Sequence, residues 1–204
     1  MKNRIDTMTK MKLWMFAAIL VCGTSLFTAC SDDDDFIAPT PQTDEVEALM
    51  QKMTLREKVG QMFYIRPESL DPTAAGQEYK ELKLQEMNDN MKNVNTQYPV
   101  GGIILYAHNI DNEAQMLQFT SQIHQLNGNP LVCIDEEGGR VARIAKNENF
   151  GIDNVGLMGD IGKTGDPEQA YVAANTIGTY LKKYNFDVDF APVADVNTNP
   201  ENVI

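Results

Sequence analysis

Residues 131–144 read LVCIDEEGGRVARI. An unbroken apolar run gives way to three acids, two glycines and two arginines three residues apart. A short continuous apolar run bounded by turn formers has the pattern of a buried strand, and Asn127-Gly128-Asn129-Pro130 directly before it supplies the break. We therefore expect a strand over residues 131–135. The acids that follow admit three readings: a catalytic carboxylate cluster, a binding edge, or a solvated turn. Side chains alternate faces along a strand, so Asp135 and Glu137 fall on one side and Glu136 on the other. Gly138 and Gly139 permit positive φ or close backbone approach. That favours Glu137 bracing the turn through backbone amides, and structural roles for Glu136 and Arg140 beside it.

Outward from this strand, helical and strand patterns alternate. Helices are expected over residues 44–52 with Thr43 as cap, 55–60 after the cap-like Thr54, 74–92, and 112–126, where Met116, Phe119, Ile123 and Leu126 share a face. A further helix opens at Asp166-Pro167-Glu168, with cap, N1 proline and first-turn acid, and runs to about Tyr184. Further strands are expected over residues 61–65, 103–106 and 188–193. Short apolar strands separated by helices define an α/β fold with a parallel sheet covered on both faces. A doubly wound sheet and a β/α barrel both satisfy that pattern. No strand is followed by a phosphate-cradling loop, because Glu137-Gly138-Gly139 lacks the spaced glycines and helix start of a dinucleotide site. Polar residues instead gather after the strands: His108-Asn109, Asp135, and Asp195 with Asn197. A barrel builds its site from those strand ends.

The first thirty residues have the pattern of a targeting segment. Lys10 and Lys12 precede an apolar run from residue 13 to 22, and Leu26-Phe27-Thr28-Ala29 leads into Cys30. The run is shorter than the about 20 apolar residues of a membrane span. Residues 1–29 are therefore expected to be a bacterial lipoprotein signal peptide and Cys30 the lipidated residue. The remaining alternative is an uncleaved anchor with an incidental cysteine. Residues 30–42, with Asp32 to Asp35 in them, form a solvated acidic tether. Its serine and acids suit either export to the cell surface or a plain spacer. Lipidation places the protein on the outer membrane, facing periplasm or exterior, held by acyl chains rather than basic contacts.

The chain has a formal charge of minus 12, and the segment to residue 29 holds four Lys/Arg and one Asp, so residues 30–204 carry minus 15. Such a surface excludes nucleic acid as a partner, since phosphate binding needs a basic patch. Of three cysteines only Cys133 remains after Cys22 and Cys30 are set aside, so no internal disulfide is possible. Inside its apolar run, Cys133 is core filler rather than a nucleophile.

Four stretches, MTLREKVGQMF at residues 53–63, GGIILYAHN at 101–109, CIDEEGGRVARI at 133–144 and DFAPVADVNTNPENVI at 189–204, together resemble the N-terminal barrel of glycoside hydrolase family 3, most closely its β-N-acetylhexosaminidase branch. The resemblance implies that residues 43–204 are the N-terminal part of a TIM-type (β/α)8 barrel, about four βα units of the eight, with the barrel incomplete. It implies a retaining exo-glycosidase acting on terminal β-linked N-acetylhexosamine, with nucleophile and acid/base on strands beyond residue 204. On that reading this stretch holds no catalytic group and is inactive by itself. A β-glucosidase of the same family and a non-catalytic glycan-binding lipoprotein are the alternatives. The family uses no cofactor.

Carried over onto the matching positions, the resemblance makes Asp135 a carboxylate that accepts hydrogen bonds from hydroxyls of the terminal sugar, and Arg143 an arginine of the same subsite. Asp135 as a strand-end cap, and Arg143 in a surface ion pair with Glu136 or Glu148, are the structural alternatives. His108 is expected to stabilise its loop, and His124 to be a surface or half-buried residue of its helix. No metal is implied. Asp195-Val196-Asn197-Thr198-Asn199 mimics the start of a calcium loop, but Pro200 stands where that loop needs glycine.

Overall fold

The computed structural model describes residues 42–196, 198 and 199. The signal segment, Cys30 and the acidic run lie outside them, as do Asn197 and Pro200. The chain divides into two compact units, residues 1–48 and 49–204. The first is described only from Gln42, where helix α1 (Gln42–Lys52) begins. That start places Thr43 inside the helix instead of at its cap.

In the second unit, α2 (Leu55–Gly60) is opened by a reciprocal cap. The Thr54 side chain accepts the Glu57 N–H, and the Glu57 carboxylate accepts the Thr54 N–H at 2.7 Å. Strand β1 (Tyr64–Ile65) follows. It is shorter than the sequence pattern suggests, because the N–H groups of Gln61, Met62 and Phe63 are taken by carbonyls of Glu57, Val59 and Gly60 as the helix unwinds. The expected helix over 74–92 is broken in two. Helix α3 (Tyr79–Leu82) stops at Lys83, in the left-handed region at φ 43°, and α4 (Asp89–Gln97) starts afresh on its cap Asn88. Between them Gln122 takes the free Met87 N–H at 2.9 Å, and Asn88 donates to Asp71 at 2.6 Å. Tertiary contacts thus replace the helical hydrogen bonds that the polar composition alone would have allowed.

Strands β2 (Gly102–Leu105), β3 (Leu131–Ile134) and β4 (Val188–Asp189) complete the sheet. Helices α5 (Glu113–His124), α6 (Met158–Lys163) and α7 (Pro167–Lys183) fill the connections, the last opened by Asp166 and Pro167 as its sequence suggests. Beyond β4, Phe190 still donates to the Ile134 carbonyl at 2.9 Å, but Pro192 has no N–H to extend the ladder.

All pairings are parallel, in the order β1-β2-β3-β4, with Ile65, Ile103 and Val132 aligned across three strands and Leu105, Ile134 and Asp189 across the next row. A doubly wound sheet reverses its order at a switch point. Consecutive order in one direction is instead the progression of a β/α barrel. Only one face is dry. Ile103, Leu105, Val132 and Ile134 have no exposed surface and pack with Met91, Met116, Phe119, Ile123 and Tyr184. The other face is half-open, with Tyr64 40 % and Phe190 44 % exposed. Coverage of both faces, expected from the apolar runs, is therefore not observed. In a barrel the helices lie outside, and the second face turns inward. There Gly102 leaves room for the Tyr64 ring, which a Cβ would approach to 2.4 Å, and Tyr64 meets Phe190 edge-to-face at 6.1 Å between centroids.

Phe119 on α5, without exposed surface, fills the layer between helix and sheet. Phe119→Ala should cost about 3–5 kcal/mol of stability, read as a lowered urea midpoint at unchanged slope.

Candidate functional site

Parallel pairing brings the ends of β2, β3 and β4 to one rim. Tyr106 follows β2, Asp135-Glu136-Glu137 follow β3, and Asp189 closes β4. The chain after Glu137 reverses. Gly138 and Gly139 take positive φ, 84° and 57°, and a Cβ on either would strike Gly156 O at 2.7 Å or the Leu157 side chain at 2.4 Å. Both reasons for glycine expected from sequence apply here. Asn154 pins the reversal, accepting the Gly139 N–H at 2.7 Å and donating to its carbonyl at 2.8 Å.

The returning segment of this loop delivers Arg143 to Asp135. Its Nη2 donates to Asp135 Oδ2 at 2.9 Å, with both side chains 24 % exposed. The guanidinium carbon lies 5.6 Å from the centre of the Tyr106 ring. A pair eight residues apart in sequence thus forms a half-open acid–base edge facing the rim. The Arg143 guanidinium forms its ion pair with Asp135 rather than with Glu136 or Glu148.

Glu136 points the other way, as strand alternation requires, and has no exposed surface. Its Oε2 accepts the N–H groups of Arg143 at 2.6 Å and Ile144 at 3.0 Å, while Oε1 accepts the Ala145 N–H and the Tyr180 hydroxyl, each at 2.9 Å. The backbone brace expected of Glu137 therefore belongs to Glu136. Glu137 remains on the rim beside Asp135. Partial burial raises its carboxyl pKa, repulsion from Asp135 and Asp195 adds to the rise, and Arg143 opposes it. Burial likewise raises the Tyr180 phenol, with the Glu136 charge adding, so Tyr180 keeps the proton it donates.

Tyr180, Asp189, Tyr106 and Glu68 carried no isolated signal in sequence. Helical spacing could have placed Tyr180 on the buried face of α7 with Ala173 and Ile177, yet nothing marked its hydroxyl as the partner of an acid 44 residues away. Glu68 is 5 % exposed in the single turn Pro67–Leu70, where its Oε1 meets His108 Nε2 at 2.9 Å and accepts from Asn109 at 2.7 Å. His108, stacked on Tyr106 at 6.0 Å between centroids, is thus held within the loop that follows β2. His124, half-buried, contacts Asp187 at 2.7 Å at the opposite end of β3. Cys133 is buried, and burial with the nearby Asp187 charge pushes its thiol to about 12, which removes the thiolate a nucleophile needs. Among the described residues no group of three or more metal-ligating side chains converges.

A rim of polar side chains at the carboxyl ends of consecutive parallel strands is the site architecture of β/α-barrel enzymes. Residues 54–204 match the Glycosyl hydrolase family 3 N terminal domain, and the chain belongs to that family. It is 36 % identical over 116 residues to beta-hexosaminidase A of Pseudoalteromonas piscicida, covering 53 % of this chain and 19 % of the relative. With the beta-hexosaminidase of Bordetella avium it shares 34 % identity over 110 residues, 52 % of this chain and 31 % of the relative. Among solved structures, a glycoside hydrolase family 3 beta-N-acetylglucosaminidase from Paenibacillus sp. superposes with a TM-score of 0.58 at 32 % identity, covering 74 % of this chain and 26 % of that one. The chain therefore spans between about a fifth and a third of the length of these relatives.

Asp189 accepts the Glu136 N–H at 2.8 Å, yet its carboxyl is raised to about 6, first by burial and then by the charges of Glu136, Asp135 and Glu137. An acid that binds its proton more tightly when folded adds stability at low pH, and that stability is lost as pH rises through the folded value. Asp189→Asn, which keeps an acceptor for Glu136 N–H, should gain on the wild type in urea midpoint as pH rises from about 4 to 7. A difference independent of pH would contradict this charge assignment.

Proposed function

We propose that this chain contributes the sugar-gripping rim of a retaining exo-glycosidase that releases terminal β-linked N-acetylhexosamine from glycans, with Asp135 and Arg143 holding the terminal ring. The observation that carries the reading is the half-open Asp135–Arg143 pair at the strand ends. Relatives named beta-hexosaminidase support the choice of sugar. A carboxylate there can accept two vicinal hydroxyl protons in charge-assisted bonds, and an arginine fork beside it fixes orientation. Such contacts place the ring so that binding energy acts in the oxocarbenium-like transition state. Nucleophile and acid/base are assigned to none of the described residues, and no step of the reading uses a metal or cofactor. The proposed setting is the outer membrane, through lipid on Cys30, because small residues precede that cysteine and a solvated acidic tether follows it.

The whole protein should hydrolyse 4-nitrophenyl N-acetyl-β-glucosaminide in preference to 4-nitrophenyl β-glucoside. Loss of charge-assisted bonds of about 1.5–3 kcal/mol each predicts that Asp135→Ala lowers kcat/KM by at least roughly tenfold. An unchanged kcat/KM would remove Asp135 from the subsite. Preference for the glucoside would move the protein to the glucosidase branch, and glycan binding without turnover of either would make it a binding lipoprotein.

A further inference from the structure

Resting on the Asp135–Arg143 reading, we propose that Glu136 is the positioning residue of the sugar subsite: by gathering the backbone N–H groups of Arg143, Ile144 and Ala145 it sets where the Arg143 guanidinium stands. Three observations carry this. The first is how little the guanidinium does for its own placement. Beside the Tyr106 ring at 5.6 Å, its hydrogen bond among the described residues is the single one to Asp135, and its Nε is buried with no hydrogen-bond partner. An unsatisfied buried N–H costs free energy that a freely rotating side chain would avoid by swinging out. Part of the arginine's placement therefore comes from the backbone that carries it.

The second observation is where the backbone is held. Glu136 contacts residue 143 and its two successors through side-chain oxygens at 2.6–3.0 Å, so the hold acts on the peptide that carries the arginine itself. The preceding turn is fixed separately by Gly138, Gly139 and Asn154, and those contacts end at residue 139. Between residue 139 and Arg143 the Gly138–Val141 bridge and a bond from Lys146 Nζ to the Arg140 carbonyl act on residues before the arginine. Glu136 is the anchor at the arginine end.

The third is that the anchor is tied to rigid elements on both sides. Glu136 is the second residue after β3, and its own N–H is held by Asp189 of β4 at 2.8 Å. Its Oε1 receives the Tyr180 hydroxyl from α7 at 2.9 Å. Strand, neighbouring strand and outer helix therefore converge on one residue, β4 through its backbone N–H and α7 through its carboxylate, and that carboxylate transmits their position to the arginine. Adjacent acids on the same strand end thus divide the work. Asp135 faces the ligand, and Glu136, one residue on and on the opposite face, fixes the partner of Asp135. A conserved-volume change at Glu136 should loosen the arginine while leaving Asp135 in place.

The test uses the whole protein with 15N-labelled arginine and backbone. In the wild type the Arg143 Nε–H should give a single sharp NMR signal, and the amides of residues 143–145 should exchange slowly. Glu136→Gln presents an NH2 where an acceptor is needed. It should broaden or shift the Arg143 signal, speed exchange of the three amides by at least about tenfold, and weaken N-acetylglucosamine binding about tenfold. Tyr180→Phe removes one donor of the four. It should shift the Arg143 signal in the same direction by less, with threefold or smaller loss of binding, and it carries the test alone if Glu136→Gln does not fold. A purely structural Glu136 would lower the melting temperature and leave the Arg143 signal and sugar affinity of the folded variant unchanged, which would overturn the proposal. If the wild type binds no N-acetylglucosamine, the subsite reading fails, and the Arg143 signal and amide exchange still decide whether Glu136 positions the arginine.

Discussion

A carboxylate with no exposed surface organises the rim. An ionised group taken out of water costs several kcal/mol unless it is fully hydrogen-bonded, and Glu136 meets that condition with three backbone amides and a phenol. Each donor comes at little cost of its own. The amides of Arg143, Ile144 and Ala145 lie in a loop that has no ladder partner to supply an acceptor, and Tyr180 lies on a buried helix face where its hydroxyl needs one. Carboxylate and loop thus satisfy each other. Remove either, and the other is left buried and unpaired.

That exchange depends on where the strands end. Because β1 to β4 run parallel in consecutive order, their carboxyl ends share one edge, and α4, α5 and α7 pack on one face. A residue at the end of β3 therefore has two destinations only: outward toward α7, or inward toward the open face. Glu136 takes the first and Asp135 the second. Two acids of the same chemistry acquire opposite environments, one desolvated and structural, one half-open and available. Asp189, a strand away, sits between these environments, and its raised carboxyl pKa records the crowding of negative charge at this rim.

Much of this was legible from residues alone. The α/β alternation, the capped starts at Thr54 and Asp166, the buried face of α5, the inert Cys133 and the alternation separating Asp135 from Glu136 all rest on local rules of period and chemistry. What escaped was long-range. No local pattern says that Gln122 will supply an acceptor to Met87, which is why residues 74–92 read as one helix and fold as two. The turn glycines adjoin Glu137 and point to it as the brace, whereas the amides needing an acceptor lie seven to nine residues beyond Glu136, on the helix side of the sheet. The open inner face was hidden for a related reason. Apolar runs report that a strand is shielded, and they do not distinguish burial by helices from burial inside a barrel.

The Tyr64–Phe190 contact also reports on curvature. Neighbouring strands stand about 4.8 Å apart, so in a flat sheet the first and fourth would be separated by three such steps, further than two aromatic rings span comfortably. Their ring centroids are 6.1 Å apart. The sheet must bend toward the face these rings occupy, and Gly102, by adding no side chain beneath the Tyr64 ring, lets the ring lie along the chord of that bend. The rim that carries Asp135 and Arg143 is consequently an arc and not a straight edge, so residues after β2, β3 and β4 aim toward a common centre.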